Sequence, residues 1–322
     1  MGKLSVIGLS AGGGSPTRLD ISNSPSDAEL RAPRGLRVRP TTLLLLAAVS
    51  LTAATPQRII SMSPNATEIL YGLGVIDSVV AVSDYDVWPP EVKKLPRIGG
   101  WSTPSLERVL AFRPDLVLLS DAQAELVGPQ LRELGLNVAT VPTHTLNDAY
   151  SAIRIAGRAT GRDAEAAQLE ASTRAGIERV RERTRSLAHP TVLCVVDRTP
   201  GTLRDVYAAG EGSFIAELIA VAGARSVVPR SAAGYSRVSN EALLGYNPDI
   251  IIDMMQGPPG RLGEDPQAVW RDFPELAAVR NRRIVPVHED YVLHASQMVV
   301  KTAVLFARIF HPGIPAADWE KP

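Results

Sequence analysis

A chain of 322 residues with 45% hydrophobic and 21% charged content has the make-up of a folded globular protein. It exceeds what one hydrophobic core usually serves, so two lobes are expected. Lys plus Arg and Asp plus Glu each total 34, so no basic excess marks a nucleic-acid partner. Cys194 is the one cysteine, which excludes an intramolecular disulfide, a thiolate zinc site and an iron–sulfur cluster; within the apolar run Thr191–Val196 it reads as a small core side chain.

Residues 1 to about 30 are rich in Gly, Ser and Pro. Arg31, Arg34, Arg37 and Arg39 then precede an apolar run, Leu43 to Ala54, that ends in Thr52-Ala53-Ala54. This is the basic, apolar and small-residue order of a secretory signal, placed at about 31–54. The run is short of the ~20 residues of a spanning helix. No cysteine follows it at once, so this reading excludes a lipoprotein anchor. A buried N-terminal helix is the competing reading, but the basic flank has no place inside a fold.

Arg58–Met62 is a predicted strand running into Ser63-Pro64-Asn65-Ala66-Thr67-Glu68, a strand-to-helix turn with Ser63 or Asn65 as N-cap and Pro64 at the first helical position. Val79–Val82 is the next strand, followed by Ser83-Asp84-Tyr85-Asp86-Val87-Trp88-Pro89-Pro90. After Gly100-Trp101-Ser102 come a helix around Glu107, the strand Leu116–Leu119 and the strand Asn137–Val141. Asn147–Thr160 reads as a closing helix. Asp163 to Leu187 has no proline and is rich in Ala, Glu and Arg, which predicts one long helix of roughly 25 residues. The second half runs Val192–Val196, a helix Phe214–Ala222, a helix around Glu241, the strands Ile250–Asp253 and Arg283–Val287, and a helix Ser296–Phe310.

The second half echoes the first. Ser105-Leu106-Glu107 through Phe112-Arg113-Pro114-Asp115-Leu116 aligns without a gap to Ser239-Asn240-Glu241 through Tyr246-Asn247-Pro248-Asp249-Ile250. Each copy is a short helix, a Pro-Asp stop, and an apolar strand of the kind that parallel sheets cover on both faces. The expected fold is α/β: two Rossmann-like lobes joined by one long interdomain helix. The divisions are a signal region 1–55, an N-terminal lobe 56–162, a linking helix 163–188, a C-terminal lobe 189–312 and a tail 313–322.

With these segments placed, the chain resembles the cobalamin-binding and iron-chelate-binding periplasmic proteins of ATP-driven importers. The resemblance covers about residues 56–312 and is carried by Arg58 to Glu68, Asp84 to Pro90, Trp101 to Asp115, Tyr207 to Phe214, Val238 to Glu241, and Asp290-Tyr291. It implies a monomeric, extracytoplasmic solute-binding protein without a cofactor, whose cargo is a macrocycle or metal chelate and whose partner is an ABC permease. It also implies cleft aromatics over a corrin ring, here Tyr85, Trp101, Tyr207, Tyr235 and Tyr291, with Asp290 as a polar contact. Rigid aromatic faces suit a large flat ligand, although Tyr and Trp in loops can equally be plain surface plugs. The resemblance further makes Glu107 and Glu241 the contacts to permease arginines, one per lobe. A carboxylate in a helix's first turn also has a purely local reason to be there.

Other cargoes use other residues. A heme binder needs a Tyr or His ligand; His144, His288 and His294 lie near predicted loops, and His294, close to Asp290 and Tyr291, is the best placed. A ferric siderophore binder would set arginines against an anionic chelate, and Arg198, Arg204, Arg230 and Arg237 fall in predicted loops of the second half. No clustered His and carboxylate set has the spacing of a free-metal site. An extracytoplasmic enzyme is the alternative of another class. It would show a nucleophile elbow, a zinc-binding helix or a phosphate loop, and none is present.

Overall fold

The computed structural model describes residues 55–254, 265 and 267–320. The stretch read as a secretory signal, 31–54, lies outside the described residues. The first sheet has four parallel strands: β1 (Ile59–Ser61), β2 (Val79–Val82), β3 (Leu116–Ser120) and β4 (Val138–Val141), in the order β2-β1-β3-β4. Its helices are α1 (Pro64–Gly72), α2 (Leu106–Ala111), α3 (Asp121–Leu126), α4 (Gly128–Glu133) and α5 (Leu146–Thr160). Successive strand side chains point to opposite faces. Accordingly Ile59, Leu116 and Leu118 pack with Ile69 and Leu70 of α1 and Ile153 of α5. Ile60, Val117 and Leu119 pack on the other face with Val109 of α2 and Leu131 of α4. Each such side chain contributes ~1.5–3 kcal/mol on leaving water, and both faces being covered explains the unbroken apolar runs.

A single helix α6 (Asp163–Thr184) of 22 residues follows, ~33 Å long. Its buried positions, Ala166, Thr173, Gly176, Ile177, Val180 and Thr184, recur at helical spacing and form a narrow stripe. The outer face is polar and braced by Glu170, which pairs with Arg154 and Arg174.

The second sheet holds β5 (Thr191–Asp197), β6 (Val206–Ala209), β7 (Arg225–Ser226), β8 (Tyr235–Val238), β9 (Ile250–Met254) and β10 (Ile284–Val287). The main order is β10-β9-β5-β6-β8, with β7 also paired to β5; β6 runs antiparallel to both of its neighbours. The helices are α7 (Phe214–Val221), α8 (Asn240–Tyr246), α9 (Ala277–Arg280), α10 (Val299–Phe310) and α11 (Ala316–Glu320). Cys194 is fully buried in this sheet, and burial raises its thiol pKa. The fold is the expected α/β pair joined by one long helix. One local expectation is corrected: Tyr207 and Tyr235 lie on β6 and β8, not in loops. These strands have only four residues each, too few for an alternating pattern to stand out.

The sequence echo extends to single atoms. Ser105 and Ser239 cap α2 and α8 by accepting from the N–H groups of Arg108 and Ala242. Arg113 and Asn247, both followed by Pro-Asp, have φ of 45° and 39°. Asp115 then accepts from the N–H groups of Gln57 and Arg58 at 2.8 and 3.0 Å, while Asp249 accepts from the N–H of Thr191 at 2.8 Å. In each half, one aspartate thus registers the incoming strand against the strand it precedes.

Candidate functional site

The first-half aromatics sit in loops at the carboxyl ends of parallel strands, where open α/β sheets place their ligands. Tyr85 follows β2 and Trp101 precedes α2; they are 60% and 37% exposed. The two loops are tied together by the N–H of Asp84 donating to the Gly99 carbonyl at 3.0 Å. Buried Gln123 of α3 fastens them to the sheet, its Nε2 donating to the carbonyls of Met62 (2.8 Å) and Trp101 (3.1 Å). The indole is therefore carried on a pinned backbone.

In the second half, Tyr207 lies opposite Asp197 at the carboxyl end of β5 and is 47% exposed. Asp290 and Tyr291 belong to a 3-10 turn, Asp290–Leu293, directly after β10. Tyr291 is half-buried; burial and the charge of Glu289 raise its hydroxyl pKa, with Arg308 opposing. Tyr235 differs from the others. Its ring packs against the core around Cys194, and burial, then the nearby thiol, raises its pKa.

One cavity, of about 140 Å³, joins the two halves. Glu68 and Trp88 line it from the first; Asp290, Tyr291, His294 and Lys301 line it from the second. Trp88 meets the Tyr71 ring edge-on at 4.7 Å, and Lys301 Nζ lies 5.7 Å from the Trp88 ring centre. His294 Nδ1 is 2.6 Å from Glu68 Oε1. Burial works against a charged His294, but the charge and hydrogen bond of Glu68, with Asp86 and Asp290 farther off, outweigh it and raise the imidazole pKa. Glu68, Trp88 and Lys301 were not singled out from sequence as site residues, although Trp88 stands in the quoted Trp-Pro-Pro run.

The remaining candidates fall elsewhere. His144 is exposed and pairs with Asp121 at 3.0 Å; His288 is exposed. Of the arginines considered against an anionic chelate, Arg198 is corrected. It is buried and bonded to Asp253, which also accepts from the Trp270 indole. Arg237 pairs with Asp205, while Arg204 and Arg230 are exposed. Glu107 and Glu241 are both exposed in the first turns of α2 and α8. The Glu241 carboxyl is held below its ordinary range by its own backbone N–H and by Ser239.

Comparison with known proteins gives this geometry its context. The periplasmic binding protein family profile matches residues 59–291. The chain is 28% identical over 267 residues to an uncharacterized ABC transporter substrate-binding lipoprotein of Bacillus subtilis, spanning 80% of this chain and 81% of that one. It is 27% identical over 239 residues to the vitamin B12-binding protein of Pectobacterium carotovorum, spanning 74% and 82%. Among solved structures, the periplasmic heme-binding protein of Roseiflexus sp. superposes with a TM-score of 0.70 at 26% identity, over 80% of this chain and 98% of that one. The periplasmic vitamin B12 binding protein of Vibrio cholerae, at 22% identity, shares the fold with a TM-score of 0.68 over 83% and 99%. With the family profile spanning most of the two-lobed region, the chain belongs to the periplasmic binding protein family and is an extracytoplasmic substrate-binding transport protein rather than an enzyme.

Proposed function

We propose that the protein binds a bulky, flat metal chelate, in the first place a corrinoid such as cobalamin, between its lobes and delivers it to the permease of an ABC importer. In this reading residues 31–54 export the chain and it works as a monomer in the periplasm. One observation carries the choice of cargo. Tyr85, Trp101 and Tyr207 are exposed at the carboxyl ends of strands in both sheets, the edge at which open α/β sheets place their ligands. Flat rings stack on a macrocycle, and Asp290, Tyr291 and His294 supply the polar and edge contacts that fix its orientation. Tyr235 contributes at most an edge from the second lobe. The vitamin B12-binding relatives support this cargo. Heme is the second reading, favoured by His294 at the interlobe cavity and by the similarity to a heme-binding protein. Burial of Arg198 weakens the case for an anionic siderophore.

Titration of purified protein with cobalamin, hemin and a ferric siderophore, followed by absorption and calorimetry, tests the assignment. Saturable cobalamin binding is expected, weakened at least tenfold (~1.4 kcal/mol) by Trp101→Ala. Binding of hemin or siderophore alone would reject the corrinoid and keep the transport role. Glu107 and Glu241 are proposed as the permease contacts. The double variant Glu107→Ala/Glu241→Ala should impair uptake and leave ligand affinity unchanged; lost affinity would assign them to the cleft or the fold instead.

A further inference from the structure

Glu68 of α1 is almost fully buried, and it is held from across the cleft rather than by its own lobe. Its Oε1 meets His294 Nδ1 at 2.6 Å, over a separation of 226 residues. Its Oε2 accepts from the Ser296 hydroxyl. Its backbone carbonyl accepts from Gln297 Nε2 at 2.5 Å. Four consecutive positions of the second lobe, 294–297, thus supply three partners to a single residue of the first. The approach is close: a Cβ at Gly72, one turn further along α1, would lie 2.7 Å from Leu169 of α6 and 3.0 Å from Gln297. The segment so held directly follows the turn Asp290–Leu293, which carries Asp290 and Tyr291 to the interlobe cavity.

We propose that Glu68 is a positioning residue: acting through His294, it clasps the ligand-facing turn of the second lobe to the first and so sets the width of the cleft. The part concerning affinity rests on the reading that cargo binds between the lobes; the part concerning cleft width does not. The lobes also share α6 and are joined beside it by the Phe214 N–H donating to the His144 carbonyl at 2.7 Å and the Leu146 N–H donating to Glu217 Oε2 at 2.6 Å. Of these attachments, the Glu68 clasp is the one that contains a histidine side chain. Facing His294 are the carboxylates of Glu68 on α1, Asp86 in the loop after β2 and Asp290 on its own turn. Lys301 of α10 lines the same cavity. A raised imidazole pKa means that the charge-assisted bond is fully present below the ordinary histidine value of ~6.5 and is lost as pH rises through the raised value.

The experiment measures the interlobe distance in ligand-free protein. Spin labels on Glu125→Cys and Glu275→Cys, exposed positions in the two lobes, report it by double electron–electron resonance; buried Cys194 stays unlabelled. One narrow distribution is expected at about pH 6, below the ordinary histidine value, and a broader one at about pH 9. Glu68→Ala should be broad at both, and Glu68→Gln, which keeps the acceptor but not the charge, should be insensitive to pH. In cobalamin titrations Glu68→Ala should raise Kd about tenfold through faster release. Tyr85→Ala should weaken binding without moving the distance. A wild-type distribution that is the same at both pH values, or a Glu68→Ala distribution as narrow as wild type, overturns the clasp. Absence of cobalamin binding with the distance behaviour intact rejects the cargo and leaves the clasp standing. If Glu68→Ala does not fold, the wild-type pair of pH values and Glu68→Gln decide.

Discussion

The backbone N–H of Leu146, the first residue of α5, donates to Glu217 Oε2 of α7 at 2.6 Å. An orphan donor at the start of a first-lobe helix is therefore satisfied by a carboxylate in the first turn of a second-lobe helix. Glu217 lies near two positive helix ends at once. Glu217→Ala should cost ~1–3 kcal/mol, because the donor loses its acceptor. Glu217→Gln should recover part of this. Urea unfolding of the three proteins checks the order; equal midpoints would show that water replaces the carboxylate freely.

Gly176 of α6 faces Val300 of α10. A Cβ there would sit 2.7 and 2.8 Å from the two Val300 methyls. Alanine is favoured over glycine inside a helix by ~1 kcal/mol, whereas overpacking costs ~1–3 kcal/mol. Gly176→Ala is thus expected to be destabilising, and adding Val300→Ala should restore most of the loss by opening the space. A double-mutant cycle by thermal unfolding measures the coupling; additive effects would mean that the two helices simply part.

Asp86 is buried, and burial pushes its pKa up to about 6, with Ser83's bonds and the His294 charge partly offsetting this. One oxygen accepts from the Ser83 N–H at 3.0 Å and from its hydroxyl, while Oδ1 is buried without a partner. The folded protein holds this proton more tightly than the unfolded chain does. Its stabilising contribution is complete below the ordinary value of 3.8 and is lost as pH rises through about 6. Asp86→Asn keeps an acceptor for Ser83 and removes the titration. It should exceed wild type in stability at about pH 8, with the difference shrinking toward about pH 4. A constant difference between the two proteins across that range would refute the assignment.

Much of the architecture was legible because it is written locally. Apolar runs mark β3 and β9, the absence of proline marks α6, and the paired Ser-to-Asp segments mark the duplication. Asp115 and Asp249 stand out in sequence for the same reason that they matter in space: each does one hydrogen-bonding task per half. The helix α3 was also within reach. Ser120-Asp121-Ala122-Gln123 is a capping box, and the structure shows both of its bonds. The same Gln123 holds the Trp101 loop, so recognising the cap would have led to the segment that carries this indole. Glu68 and Arg198 were out of reach. One meets His294 and the other Asp253, across 226 and 55 residues, and no periodicity records which distant partner a polar side chain will find. Tyr235 looked like Tyr207 because both flank Gly- and Ser-rich segments; the pairing of β6 with β8 sets both rings on one face of the sheet, and only packing against the core around Cys194 separates the part-buried Tyr235 from the exposed Tyr207.

The antiparallel pair β6 and β8 has no counterpart in the first sheet. Exchanging the halves along the chain would lay Glu107 on Glu241 and Asp115 on Asp249, yet it would set a loop-borne indole against a strand-borne phenol. The duplication is even-handed toward anything that reads those paired carboxylates and one-sided toward anything lodged in the middle. A guest with unlike top and bottom has a single correct way to be seated.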